Sequence, residues 1–144
     1  MGVPASLARC ASLVSLDLSG NQLGVSSDLP ESLAAGLVNL RELNVARNRL
    51  VSLPNTLGAM RALTRLDCRE NQIRALPRAA GGCVSLAELY LGQNQITSLP
   101  DEIGDLAALR TLDLARNKLR ALPPALAKIP LGLLDASAGR SVHT

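Results

Sequence analysis

Five asparagines, Asn21, Asn48, Asn71, Asn94 and Asn117, recur along this 144-residue chain, the last four at intervals of 23. Asn carries two donors and an acceptor on one short side chain. A row of them could line a ligand track, or satisfy backbone groups left over where strands end. The second reading is the stronger, because each Asn follows an alternating apolar run and precedes another apolar residue. Other reactive types are sparse. His143 is the only histidine and lies near the end of the chain, so a Ser-His-Asp or Cys-His arrangement lacks a base in the body. Cys10, Cys68 and Cys83 are odd in number, without paired spacing, and with His143 so far away they form no zinc-type cluster. Cys68 and Cys83 occupy apolar positions and read as small buried hydrophobes. Gly81-Gly82 is not a phosphate loop opening a helix. Asp101, Glu102 and Asp105 read as a solvated first turn. No catalytic residue, metal site or cofactor is predicted, and the chain reads as a non-enzyme.

The elements behind the asparagines repeat. Segments beginning at Leu40, Leu63, Leu86 and Leu109 read LRELNVARNRLVSLP, LTRLDCRENQIRALP, LAELYLGQNQITSLP and LRTLDLARNKLRALP. An earlier copy starts at Leu13, 27 residues upstream of Leu40, and a degenerate one at Leu131. In LTRLDC, Leu66 and Cys68 fall on one side and Arg65 and Asp67 on the other, which predicts a short strand. Leu-Pro marks a turn, because Pro fixes its own φ and cannot donate to a ladder. The stretch after Pro has apolar residues at i and i+3, suited to a 3₁₀ or short helical turn. One such unit cannot bury its apolar side alone, so neighbours must stack.

The opening MGVPASLARC admits two readings. Gly2 and Ser6 match an N-myristoylation pattern. Aligned on Leu53-Pro54 and Leu99-Pro100, however, Val3-Pro4 begins the outer half of a repeat, with Leu7 under Leu57 and Cys10 under Met60, Cys83 and Leu106. The second reading is preferred and the first taken as fortuitous. It predicts a piece of a longer array, with open sheet edges prone to self-association.

Composition fits one domain with an unusual core. The chain is 47% hydrophobic and 19% charged, yet has no Phe or Trp and a single Tyr, Tyr90. Leu makes up about a fifth of it. The net charge is +3, with Arg scattered among acids and no basic run, so neither a nucleic-acid nor a membrane partner is predicted.

The pattern L-x-x-L-x-L-x-x-N-x-L-x-x-L-P resembles the leucine-rich repeat family over essentially the whole chain. The resemblance implies an α/β repeat solenoid: a right-handed horseshoe segment with a parallel sheet on its concave face and short 3₁₀ or helical outer arms. Read this way, 1–144 is one domain. It comprises the outer half-repeat 1–12, repeats 13–39, 40–62, 63–85, 86–108 and 109–130, and a partial repeat 131–144. The resemblance also implies a protein-binding module or scaffold. The 23-residue Leu-Pro type resembles intracellular Ras-pathway scaffolds, hence a cytoplasmic signalling role. The alternatives are the targeting region of a larger enzyme or part of an extracellular receptor. The asparagines Asn21, Asn48, Asn71, Asn94 and Asn117 then form a structural ladder.

The predicted binding face is the outward side of the strands. Its central column is Asp17, Asn44, Asp67, Tyr90, Asp113 and Asp135. Ser15, Glu42, Arg65, Glu88, Thr111 and Leu133 lie on one side, and Arg47, Arg69, Glu70, Gln93 and Arg116 on the other. An acidic middle with an outward Tyr90 predicts a protein or peptide partner carrying basic residues, anchored over Asp67, Tyr90 and Asp113 with Arg65 and Arg116 at the margin.

Overall fold

A computed structural model describes residues 3–24 and 29–135. Six three-residue strands, β1 (Ser15–Asp17), β2 (Glu42–Asn44), β3 (Arg65–Asp67), β4 (Glu88–Tyr90), β5 (Thr111–Asp113) and β6 (Leu133–Asp135), form one parallel sheet in chain order. Their register keeps equivalent repeat positions side by side: Leu16, Leu43, Leu66, Leu89, Leu112 and Leu134 are successive partners. Strands this short follow from the alternation, which ends where Asn turns the chain inward.

Behind the sheet stack six arms, each entered through a proline in extended conformation. Five are 3₁₀ turns: η1 (Ala5–Arg9), η2 (Asn55–Ala59), η3 (Arg78–Gly82), η4 (Asp101–Asp105) and η5 (Pro124–Lys128). One is an α-helix, α1 (Glu31–Gly36). The difference traces to a single extra residue. In η2, Met60 N donates to Leu57 O three positions back, at 3.0 Å. In α1, one more residue separates the two apolar anchors, so Leu37 N reaches Leu33 O four positions back, at 3.0 Å. An i+4 bond is α and an i+3 bond is 3₁₀.

The arms approach so closely that glycine is required between some of them. A Cβ on Gly58 would lie 2.2 Å from Ala79 O. Glu31 adds a polar staple between arms: its two carboxylate oxygens accept the Asn55 and Thr56 amides, each at 2.9 Å. These are orphan donors at the start of η2, and they hold the Glu31 carboxyl below its usual range.

Between sheet and arms runs one continuous core of Leu, Ile and a few small residues. Cys68, Cys83 and Met60 lie in it. Cys10 is exposed, unlike the buried Met60, Cys83 and Leu106 that share its repeat position. The aligned position therefore does not give Cys10 their environment. The physical reason is that among the described residues no arm stacks outside η1 to cover it.

The asparagines knit the strand ends together. Asn71 Oδ1 accepts Leu50 N from the preceding repeat at 3.0 Å, and its Nδ2 donates to Val45 O and Cys68 O, both at 3.0 Å. Asn48, Asn94 and Asn117 repeat the scheme, accepting from Leu23, Ile73 and Ile96. Asn21 is exposed and, among the described residues, only donates, to Leu18 O and Ser19 O. Each shared carbonyl serves two asparagines: Cys68 O accepts from Asn71 and Asn94. Among the described residues no buried side-chain nitrogen or oxygen lacks a partner.

Candidate functional site

The outward strand positions and the turns just beyond them form the concave face. In the central column, each acid or amide first serves its own turn. Asp17, Asn44, Asp67 and Asp113 accept the amide two residues ahead, that of Ser19, Ala46, Arg69 and Ala115, at 2.9–3.1 Å. Such local caps close the strand end and explain why Asp and Asn recur there. Ser19 Oγ also donates to Asp17 at 2.6 Å, and these bonds lower the pKa of that carboxyl.

Two expectations need correction here. Asp67 is not a solvated acid; it is 2% exposed. Arg69 covers it in a bidentate pair, Nε to Oδ1 at 3.0 Å and Nη2 to Oδ2 at 2.6 Å, and Arg65 stands 4.0 Å away. Burial of an unpaired carboxylate is unfavourable, so the acid takes its counter-charge from within the chain. The pair raises the Arg69 pKa above its ordinary value. Asp67 is therefore spent internally and offers no landing point for a basic partner.

Tyr90 is the second correction. It faces outward, but it is not free. Both the Arg65 and the Arg69 guanidinium groups pack against its ring, at 5.0 and 4.8 Å from the centroid. Its hydroxyl donates to Glu88 Oε1 at 2.7 Å, and that bond is the main cause of its raised pKa. The ring is half-buried. Two cation–π contacts at such a site are worth about 0.5–1 kcal/mol each. Loss of the ring would thus lower stability.

Asp17 and Glu42 are exposed, whereas Asn44, Arg65, Glu88, Tyr90 and Asp113 are half-buried and Arg116 is exposed. Arg65, Asp67, Glu88 and Tyr90 form one cluster with Arg69. Asp17 and Glu42 lie on the first two strands, away from it. Arg116 also stands apart from Arg69, although the two were grouped in one flank. Arg69 shares its repeat position with Ala46, Gly92 and Ala115. Arg116 shares its own with Arg47, Glu70 and Gln93, and these four all have left-handed backbone, φ 55 to 57°.

A shallow groove of about 400 Å³ runs between these columns. Ala46, Gly92 and Ala115 form its low floor; Arg47, Glu70 and Arg116 stand at its rim. Gly92 is not there for backbone freedom, since its φ is not positive. A Cβ at this position would come 2.8 Å from Asp113 Oδ2, so the glycine makes room for that carboxylate. Larger hollows at the two ends of the solenoid are cross-sections of the core, lined by residues such as Leu18 and Leu23 or Leu126 and Leu134.

Stacked parallel strands, proline-entered arms and an asparagine ladder with a 23-residue period are shared with known proteins. A leucine-rich-repeat family profile matches residues 61–119, and a second matches 12–35 and 39–60. The chain belongs to the leucine-rich repeat family. The leucine-rich repeat protein LIC12759 of Leptospira interrogans is a structural neighbour, with TM-score 0.77, 29% identity, and coverage of 95% of this chain and 40% of that one. The PEPR1-AtPEP1 crystal structure is another, with TM-score 0.82, 30% identity, and coverage of 98% and 20%. The chain thus spans well under half the length of either. No match was found among functionally curated proteins.

This leucine-rich repeat array has the fold of a protein-binding module, and such arrays are typically non-enzymatic. Burial raises the Cys83 thiol to about 11, and burial together with the Asp67 charge pushes Cys68 higher still. Neither sulfur is a ready nucleophile. Among the described residues no group of three or more metal-ligating side chains gathers. No described helix is long and apolar enough to cross a membrane. His143 and the degenerate repeat beyond Asp135 lie outside the described residues, as do Met1 and Gly2.

Sequence reasoning missed the groove floor and the left-handed column. A lone Gly92 within an otherwise alternating run was the available signal for the first. Nothing in residue type signals the second, because Arg, Glu and Gln are not residues that favour positive φ.

Proposed function

We propose that this leucine-rich repeat segment binds a protein or peptide through its concave face, as a scaffold and not as an enzyme. The observation that carries this reading is Tyr90 packed against Arg65 and Arg69 beside the groove. It is a preorganised platform of the residue types that most often anchor interfaces, and it sits at mid-array on a rigid sheet. Tyr90 costs little entropy to fix, because the two arginines and Glu88 already hold it. The six-stranded face is about 25 Å wide, sufficient for one ordinary interface patch. PEPR1-AtPEP1 as a structural neighbour supports a peptide-sized ligand. A reducing, cytoplasmic setting suits the three free cysteines.

Affinity capture with the wild type and with Tyr90→Ala, compared by mass spectrometry, tests the reading. A partner that docks here is retained by the wild type and weakened by roughly 2 kcal/mol, about 30-fold, in Tyr90→Ala. Equal retention by Tyr90→Ala and by Asp113→Asn would remove the concave face from the account.

A further inference from the structure

Arginine and lysine look scattered along the sequence, but the repeat collects many of them. After each strand, the chain runs along one flank of the solenoid toward the next arm. Asn48 and Leu50 point inward there and are buried, so positions 47, 49 and 51 point outward, and likewise in later repeats. Successive runs are joined by backbone bonds: Gln72 N to Leu50 O at 2.8 Å, Gln95 N to Ile73 O at 2.9 Å, and Lys118 N to Ile96 O at 2.9 Å. The flank is therefore a fixed lattice and not a set of loose loops.

Its outward positions carry Arg47, Arg49, Arg74, Arg116, Lys118 and Arg120, all exposed, against one exposed acid, Glu70. Six cations less one acid give a local charge of +5, more than the +3 of the whole sequence. The ion pairs among the described residues join Arg65 and Arg69 to Asp67, and Arg78 to Glu102; none involves these six. Arg47 and Arg116 are moreover held at φ 55 and 56°, where glycine is the unstrained choice.

We propose that this strand-exit flank binds an extended acidic segment of a partner protein. The surface lies apart from the Arg65–Asp67–Tyr90 cluster but adjoins the concave groove, whose rim it shares at Arg47, Glu70 and Arg116, and the proposal rests on the protein-binding reading given above. Three features favour a protein segment over a phosphate polymer. Glu70 interrupts the cations and would repel an unbroken row of phosphates, whereas a mixed-charge peptide can place a cation or a neutral residue there. Gln72, Gln93 and Gln95 supply amides that can pair with a peptide backbone. The chain's one aromatic, Tyr90, is clasped elsewhere, so the flank offers no base-stacking platform. Five of the six cations are Arg, whose planar fork matches carboxylates bidentately. Arg47 and Arg116 stand three repeats apart, about 14 Å at ~4.8 Å per strand; an extended chain covers that in about four residues. The favoured ligand carries carboxylates at that spacing.

The test is fluorescence anisotropy with a labelled Gly/Ser peptide bearing Glu at every fourth position. Parallel titrations use an oligothymidine of equal charge and vesicles containing phosphatidylserine. The peptide is expected to bind in a salt-sensitive manner. Arg47→Gln/Arg116→Gln and Lys118→Gln/Arg120→Gln should each weaken it about tenfold. Arg41→Gln/Arg61→Gln, an equal charge change on exposed residues outside the flank, should leave it nearly unchanged, as should Tyr90→Ala. Thermal melts of each variant confirm that the fold persists. The proposal is overturned if the peptide does not bind, if the control pair weakens it equally, or if the oligothymidine or the vesicles bind the flank more tightly than the peptide. Binding lost in Tyr90→Ala and kept in the flank variants also overturns it, and leaves the concave-face reading standing.

Discussion

Replacing Asn71 by Ala removes one acceptor and two donors from the centre of the ladder. The three carbonyls it served are not orphaned, because Val45 O keeps Asn48, Cys68 O keeps Asn94 and Arg69 O keeps the Arg47 amide. The Leu50 amide, bonded to Asn71 Oδ1 at 3.0 Å in a buried position, has no substitute. An unsatisfied buried donor costs about 1–3 kcal/mol, and each net hydrogen bond lost a further ~0.5–1.5. The expected destabilisation is about 3 kcal/mol, measured by urea denaturation with a matched m-value. Asn21→Ala is the internal control. Asn21 is exposed, and among the described residues it donates to Leu18 O and Ser19 O and accepts no bond at its Oδ1. Its loss should cost under about 1 kcal/mol, since water replaces both bonds. Asn71→Asp keeps the acceptor but turns a donor into a charge facing three carbonyls. Burial and those dipoles raise its folded pKa above the unfolded value, so the loss should be smaller near pH 4 than at pH 7. Equal losses for Asn71→Ala and Asn21→Ala would refute the argument, because the two differ only in what the structure places around them.

Gly58→Ala should destabilise by about 1–3 kcal/mol in the same assay, since the new Cβ meets backbone at Ala79 O and not a flexible side chain. In the native state at pH 8, a thiol reagent should titrate Cys10 quickly and Cys68 and Cys83 only after denaturant is added; prompt reaction of all three would contradict the burial of the last two. Glu31 has a depressed folded pKa, so the stability it contributes is present above its ordinary value of 4.5 and is lost as pH falls through the lower folded value. Glu31→Gln should therefore flatten the acid limb of a stability-versus-pH curve, while an unchanged limb would count against the staple. Gln93→Val should destabilise and Gln93→Gly should be tolerated, because a β-branched residue fits poorly at φ 57°.

Much of this protein is legible in its sequence because a repeat states one packing solution several times. The 23-residue period, the alternation around Leu43, Leu66, Leu89 and Leu112, and the Leu-Pro turns determine strand, turn and arm, and with them a parallel stack. These are local signals, and stacking only multiplies them. The single added residue before Leu37 was visible too, although its outcome, α in place of 3₁₀, needed the bond from Leu37 to Leu33 to be seen. What the tertiary structure alone decided was which charges are spent and which are left over. Asp67, Asp113 and Asp17 look alike in the pattern, yet only Asp67 has an arginine two residues on that folds back to bury it, with Tyr90 of the neighbouring strand over that arginine. Likewise, Arg47 and Arg116 are 69 residues apart along the chain and come within three strand spacings, about 14 Å, once repeats stack. Side-chain fate depends on residues from adjacent turns of the solenoid, and that juxtaposition is set by the fold and not by distance along the chain.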